Sequence, residues 1–129
     1  MKYMLLIYVD EAQGAKVAKE VGIAQMSAPY IAYTEALQKA GVILGGDRLQ
    51  PTTTATTVKV SDGNTKVLNG PYAETKEQLA GYYMIDVPDL DAALTWAARC
   101  PGAAHGTVEV RPLWTMASDP RQASDPRLG

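Results

Sequence analysis

The densest group of reactive side chains lies in Asn69-Gly70-Pro71-Tyr72-Ala73-Glu74-Thr75-Lys76-Glu77. Glu74, Lys76 and Glu77 put two acids and a base within one turn of chain, just after a Gly-Pro bend. A carboxylate fixed there and facing a pocket is suited to general acid or base work, or to holding a ligand. The plainer reading is a solvated helical turn with local ion pairing. The single histidine, His105, lies in Ala-Ala-His-Gly; it is either an ordinary loop residue or a proton carrier near neutral pH. Glu109 and Arg111 alternate in Thr107-Val108-Glu109-Val110-Arg111 and so share one strand face. An arginine there needs Glu109, Asp47 or another acid as partner, or else serves an anionic small molecule. Tyr33, Tyr82 and Tyr83 either fill the core or rim such a site.

Other chemistries find no support. The sequence has no GxGxxG, no P-loop, no GxSxG elbow and no HExxH. One cysteine, Cys100, and one histidine cannot build a Cys/His zinc centre. A lone cysteine allows no intrachain disulfide, which fits a cytoplasmic protein, and at a helix end it reads as an inert buried thiol. No cofactor and no metal are expected. Lys and Arg total 12 against 14 Asp and Glu, a net charge of -2. That balance gives no electrostatic reason to bind nucleic acid or an anionic membrane.

The elements that position these residues follow from periodicity. With 129 residues and 47% hydrophobic content, one domain with a real core is expected. Lys2–Val9 is apolar on both alternating faces, the mark of a central strand. It is too short, and followed by Asp10 and Glu11, to read as a signal peptide. Residues 11–26 suggest a short helix or a loop. Ser27 as N-cap and Tyr30, Tyr33, Leu37 and Ala40 predict a helix over about 28–40, ended by Gly41. Residues 42–50 read as a strand in which Gly45 and Gly46 mark a bulge or a close backbone approach. Residues 55–60 and 65–69 flank Asp62-Gly63 as a hairpin. Residues 79–87 predict another strand. Asp89 caps a helix with Leu90, Ala93, Leu94 and Ala97 as its apolar stripe, ended by Cys100-Pro101-Gly102. Residues 107–114 form the last strand, with Val108, Val110 and Trp114 on one face.

The fold class is therefore α+β, a ferredoxin-like βαββαβ layout with one inserted β-hairpin. Two helices cover one face only, so a second subunit is expected on the other. The tail, residues 117–129, repeats Ala-Ser-Asp-Pro-Arg and reads as disordered or loosely attached, outside a domain of residues 1–116.

The segment NGPYAETKEQLAGYYMIDVPDLDAALTWAARCPGAAHGTVEVRPLW resembles the signature of the DGPF domain family, related to the YCII group. KYMLLIY and the stretch from Ala40 to Gly46 resemble it too, so the likeness spans nearly all of residues 1–116. It implies a dimeric α/β-barrel of ferredoxin-like subunits. Most such members have no established activity. YCII relatives carry a His–Asp pair, and one type is a lyase-like dehydrochlorinase. Here Tyr30 or Tyr33 stands where that histidine is expected, and Asn69 replaces the Asp of Asp-Gly-Pro-Phe. Two functions stay open. One is a homodimeric small-molecule binder, without metal, doing acid/base chemistry. Its candidates are Glu74, Glu77 and His105 for catalysis and Tyr33, Asp47, Lys76, Tyr82, Glu109 and Arg111 for binding. The other is a non-catalytic regulatory or interaction module, since such proteins often lie near alternative sigma factors.

Overall fold

The computed structural model describes residues 1–115 and 119–121. Lys2–Val9 forms β1, and Asp10 then caps α1, Glu11–Val21, by accepting from the Gln13 N–H at 3.0 Å. Gly22, at φ +87°, separates α1 from α2, Ile23–Lys39. Residues 11–26 are thus mostly helical, and α2 starts ahead of Ser27, which lies inside it rather than at its N-cap. The reason is local: a left-handed glycine turns the chain without ending helical propensity on either side. Pro29 sits within α2 and removes the bond its N–H would give to the Gln25 carbonyl.

Ile43–Arg48 forms β2 and Gln78–Asp86 forms β5. Between them lies a hairpin of β3, Thr56–Ser61, and β4, Asn64–Asn69. Its turn holds Asp62 at φ +53° and Gly63 at φ +76°, both left-handed as a two-residue I′ turn requires. Thr52–Thr54 is one 3₁₀ turn leading into β3, so of the threonines in residues 52–57 only Thr56 and Thr57 are strand. Leu90–Arg99 forms α3, Pro101–His105 a short α4, and Thr107–Pro112 β6. The chain leaves α3 through an extended Cys100 and turns at once into α4.

The main sheet runs β2-β5-β1-β6, every neighbouring pair antiparallel. This is the ferredoxin-like order, with β3–β4 as a separate two-stranded sheet. The β2–β5 register slips between Ile43 and Gly45, placing a bulge at the glycines. Gly46 is needed there: a Cβ would stand 2.8 Å from the Tyr82 carbonyl oxygen.

α2 and α3 pack on one face. Tyr3, Leu5 and Ile7 of β1 and Ile85 of β5 meet Tyr33 and Leu37 of α2 and Ala93 and Ala97 of α3. Leu90 and Leu94, the rest of the expected α3 stripe, remain about half exposed (48% and 47%). Trp114 lies past β6 and is exposed. The tail beyond Thr115 falls largely outside the described residues; within it Asp119 is buried and holds Arg121 in an ion pair at 2.9 Å.

Asp89 accepts from the Ala92 N–H at 2.9 Å and closes the N-terminus of α3. Asp89→Ala is expected to cost about 1 kcal/mol, read as a drop of about 4 °C in thermal denaturation. An unchanged midpoint would show that packing alone sets the start of α3.

Candidate functional site

The face of the sheet away from α2 and α3 is built from the even residues of β1, namely Lys2, Met4, Leu6 and Tyr8, and their cross-strand neighbours. Tyr82 and Met84 of β5 stand opposite Leu6 and Met4. Glu109 and Arg111 of β6 stand opposite Leu6 and Met4 on the other side. Asp47 of β2 pairs with Tyr82. A single row therefore crosses all four strands as Asp47, Tyr82, Leu6 and Glu109. Arg111 lies one pleat along, beside Met4.

The polar groups of the row are coupled. The Tyr82 hydroxyl donates to Asp47 Oδ2 at 2.8 Å. That bond, with the carboxylate's charge, raises the Tyr82 phenol above its ordinary range, because losing the proton would set two anions together. Arg111 Nη2 donates to Glu109 Oε2 at 2.7 Å, and the Tyr8 hydroxyl donates to Oε1 of the same carboxylate at 3.4 Å. The hydrogen bond to Glu109 raises Arg111 in turn. Two acid-centred pairs thus flank an apolar strip. Such a surface can receive a small molecule with an anionic group at the guanidinium and an apolar body along Leu6 and the methionines.

The remaining candidates lie elsewhere. The 69–77 segment is not helical; it runs through bends into β5. Glu74 and Lys76 are exposed, and among the described residues neither side chain has a hydrogen bond or ion pair. Glu77 is half-buried, and its Oε1 accepts from the Thr107 hydroxyl at 2.8 Å, tying the segment to the start of β6. His105 is the exposed last residue of α4. Tyr33 belongs to the helix-covered core: its hydroxyl donates to the Trp96 carbonyl at 2.7 Å and its ring meets Tyr83 edge-on at 5.3 Å. Burial, then the nearby Cys100 and Tyr83, push Tyr33 well up from the usual phenol range and Tyr30 to about 12. Cys100 is buried, and desolvation raises its thiol, as an inert cysteine requires.

Sequence reasoning missed Tyr8 as the third member of the Glu109 group. Its alternation with Met4 and Leu6 was the signal. It also missed Glu11, whose carboxylate accepts from the Thr52 N–H at 2.9 Å and hydroxyl at 2.7 Å, pinning α1 to the loop before β3. Behind β6 lies a groove of about 270 Å³ lined by Leu94, Ala97, Ala103, Val108 and Val110. Among the described residues no group of three or more His, Cys, Asp or Glu side chains could hold a metal ion. No helix among them is long and apolar enough to cross a membrane.

Strand order, α2 and α3 on one face and a polar row on the other define a ferredoxin-like α+β domain with its candidate site on the sheet. The chain belongs to the YCII-related domain family, whose model matches residues 1–117. It is 43% identical over 118 residues to an uncharacterised protein, R00369, of Rhizobium meliloti (strain 1021), covering 88% of this chain and 92% of that one.

Proposed function

We propose that this chain works in the cytoplasm as a homodimer of the DGPF type, its open sheet faces turned inward in a barrel-like pair to bind a small anionic molecule. The observation that carries this reading is the row Asp47–Tyr82–Leu6–Glu109 with Arg111 beside it. Charged and phenolic groups converge there beside Met4, Leu6 and Met84, with Lys2 opposite Asp86 at the end of the same face, on the side of the sheet away from α2 and α3. A permanent cation on a strand is a fixed platform for a carboxylate or phosphate. Tyr82, its proton held by Asp47, and Glu77 at the end of the same sheet supply groups for metal-free proton transfer. Glu74, Lys76 and His105, all exposed, have a peripheral part in this reading, and Tyr33 acts through the core behind the sheet.

A second reading, a non-catalytic interaction module acting beside transcription-related partners, is favoured by one feature: both carboxylates of the row already have donors. A calorimetric screen with inorganic phosphate and small mono- and dicarboxylates separates the two. Arg111→Met is expected to weaken binding of any anion found by at least about tenfold, an affinity loss of 1.4 kcal/mol or more, with His105→Gln binding as the parent does. Thermal melts of each variant separate lost binding from lost folding. If no anion binds, or if His105 proves essential and Arg111 replaceable in a folded protein, the anion site on the sheet is wrong.

A further inference from the structure

Among the described residues β6 is an edge of the main sheet, and its side away from β1 has a definite pattern. The Leu113 N–H donates to the Lys2 carbonyl at 2.9 Å. In an antiparallel ladder such pairs alternate, so Arg111, Glu109 and Thr107 also spend their backbone groups on β1. The N–H and C=O groups of Val108 and Val110, and the carbonyl of Pro112, therefore point outward from the edge. The register with β1 is unbroken, so this edge is straight. The opposite edge, β2, is bulged at its glycines and offers a poorer template.

We propose that β6 pairs antiparallel with β6 of a second copy, centred on Val110, and that the partner's Glu109 completes the site by meeting Arg111. This deepens the homodimer reading and rests on it. The choice of centre follows from charge. A twofold at Glu109 or at Arg111 sets like charges opposite each other, which destabilises a strand pair. A twofold at Val108 sets Glu109 against Thr107 and leaves Arg111 unmatched. A centre at Val110 places Glu109 against the partner's Arg111 and Arg111 against the partner's Glu109, in the closer, non-hydrogen-bonded pairs. Val110 then exchanges both backbone bonds with the partner's Val110. Val108 donates to the carbonyl of the partner's Pro112, where the missing proline N–H costs one bond and no more.

The helix side of the same edge agrees. The apolar groove lined by Leu94, Ala97, Val108 and Val110 opens along β6. Leu94, which lines it, is half-exposed. Paired residues in a strand ladder point to the same face. The seam therefore sets groove against groove on the helix side and joins the two polar rows on the open side. Each Arg111 then stands between its own Glu109 and the partner's Glu109, and an anion reaches the guanidinium by displacing one of these carboxylates, so the site lies across two chains.

Charge variants and a cross-link test this in the full-length protein. Arg111→Glu makes the edge wholly acidic and Glu109→Arg makes it wholly basic. By sedimentation, each alone is expected to dimerise at least tenfold more weakly than the parent, and an equimolar mixture to recover the parent's affinity as a heterodimer. The mixture matters because the intrachain Glu109–Arg111 pair is absent in both variants, so recovery can come only across the seam. Val110→Cys is expected to form a covalent dimer on mild oxidation, since facing residues of a hydrogen-bonded pair lie about 5.5 Å apart at Cα. The parent, whose Cys100 is buried, is expected to form none. A parent dimer indifferent to both charge changes, with no cross-link, overturns the seam and leaves the homodimer reading standing. A parent that sediments as a monomer overturns both.

Discussion

Gly106→Ala is expected to lower the melting temperature by about 12 °C, a loss of about 3 kcal/mol. A Cβ at this position would stand 2.1 Å from the backbone oxygen of Tyr8 and 3.2 Å from Cα of Val9. Neither atom is the end of a flexible side chain. Relief requires the start of β6 to move off β1, opening the ladder at the Tyr8–Thr107 pair and loosening the Thr107–Glu77 bond. Gly14→Ala is the control. Gly14 lies inside α1 with nothing within 4 Å of its would-be Cβ, so alanine there is expected to stabilise by about 0.5–1 kcal/mol. Equal melting temperatures for the two variants would mean that β6 does not approach β1 as closely as described.

The second large effect is alkaline unfolding led by the buried phenols. Tyr33 and Tyr30 are held neutral, above the ordinary phenol value near 10, chiefly by burial. Their protonated form is the one the fold accepts. Stability from this source is complete below about pH 10, where the unfolded phenols are also protonated. It falls as pH rises from the ordinary phenol value toward the raised folded values, because over that range the unfolded chain ionises and the folded one does not, and it levels off once the folded phenols ionise too. The limiting slope is about 1.4 kcal/mol per pH unit for each phenol. Tyr30, less deeply placed, contributes the smaller share. Denaturant midpoints from pH 9 to 12 should fall steeply in the parent. In Tyr33→Phe the slope should be shallower, from a start lowered by about 1 kcal/mol for the bond lost to Trp96. Parallel slopes in the two proteins would remove Tyr33 as the cause.

Much of the fold was legible because its signals were local. The double-sided apolarity of β1, the Asp62-Gly63 turn, the Asp89 cap and the Gly45-Gly46 bulge each follow from a few adjacent residues. In the first helical region the residues Gly14, Gly22 and Pro29 together weigh against one long helix, so the sequence predicts too little of it. Only Gly22 breaks the helix, since its φ leaves the helical range, whereas Pro29 costs one bond in a helix otherwise well packed at Tyr33 and Leu37. The alternation of Glu109 and Arg111 placed them together on one face. Their junction with Asp47, Tyr82 and Tyr8 depends on strand order, which brings residues from four separate stretches into one row. The charged turn at Glu74–Glu77 was conspicuous in sequence for the very reason that its side chains are mostly in solvent, where charge density is cheap.

The strand order also sets a timetable. No two neighbours in the main sheet are neighbours in the chain: β1 lies between β5 and β6, and β2 waits beyond the inserted hairpin for β5. During synthesis β1 leaves the ribosome first, its two apolar faces unmatched, and no strand able to pair with it in the finished sheet emerges until most of the chain is made. The hairpin of β3 and β4 can close on its own well before that, yet shields none of β1. A nascent chain of this protein therefore carries its most adhesive segment longest, and chaperone capture at that segment, released once β6 has emerged, is the behaviour its topology calls for.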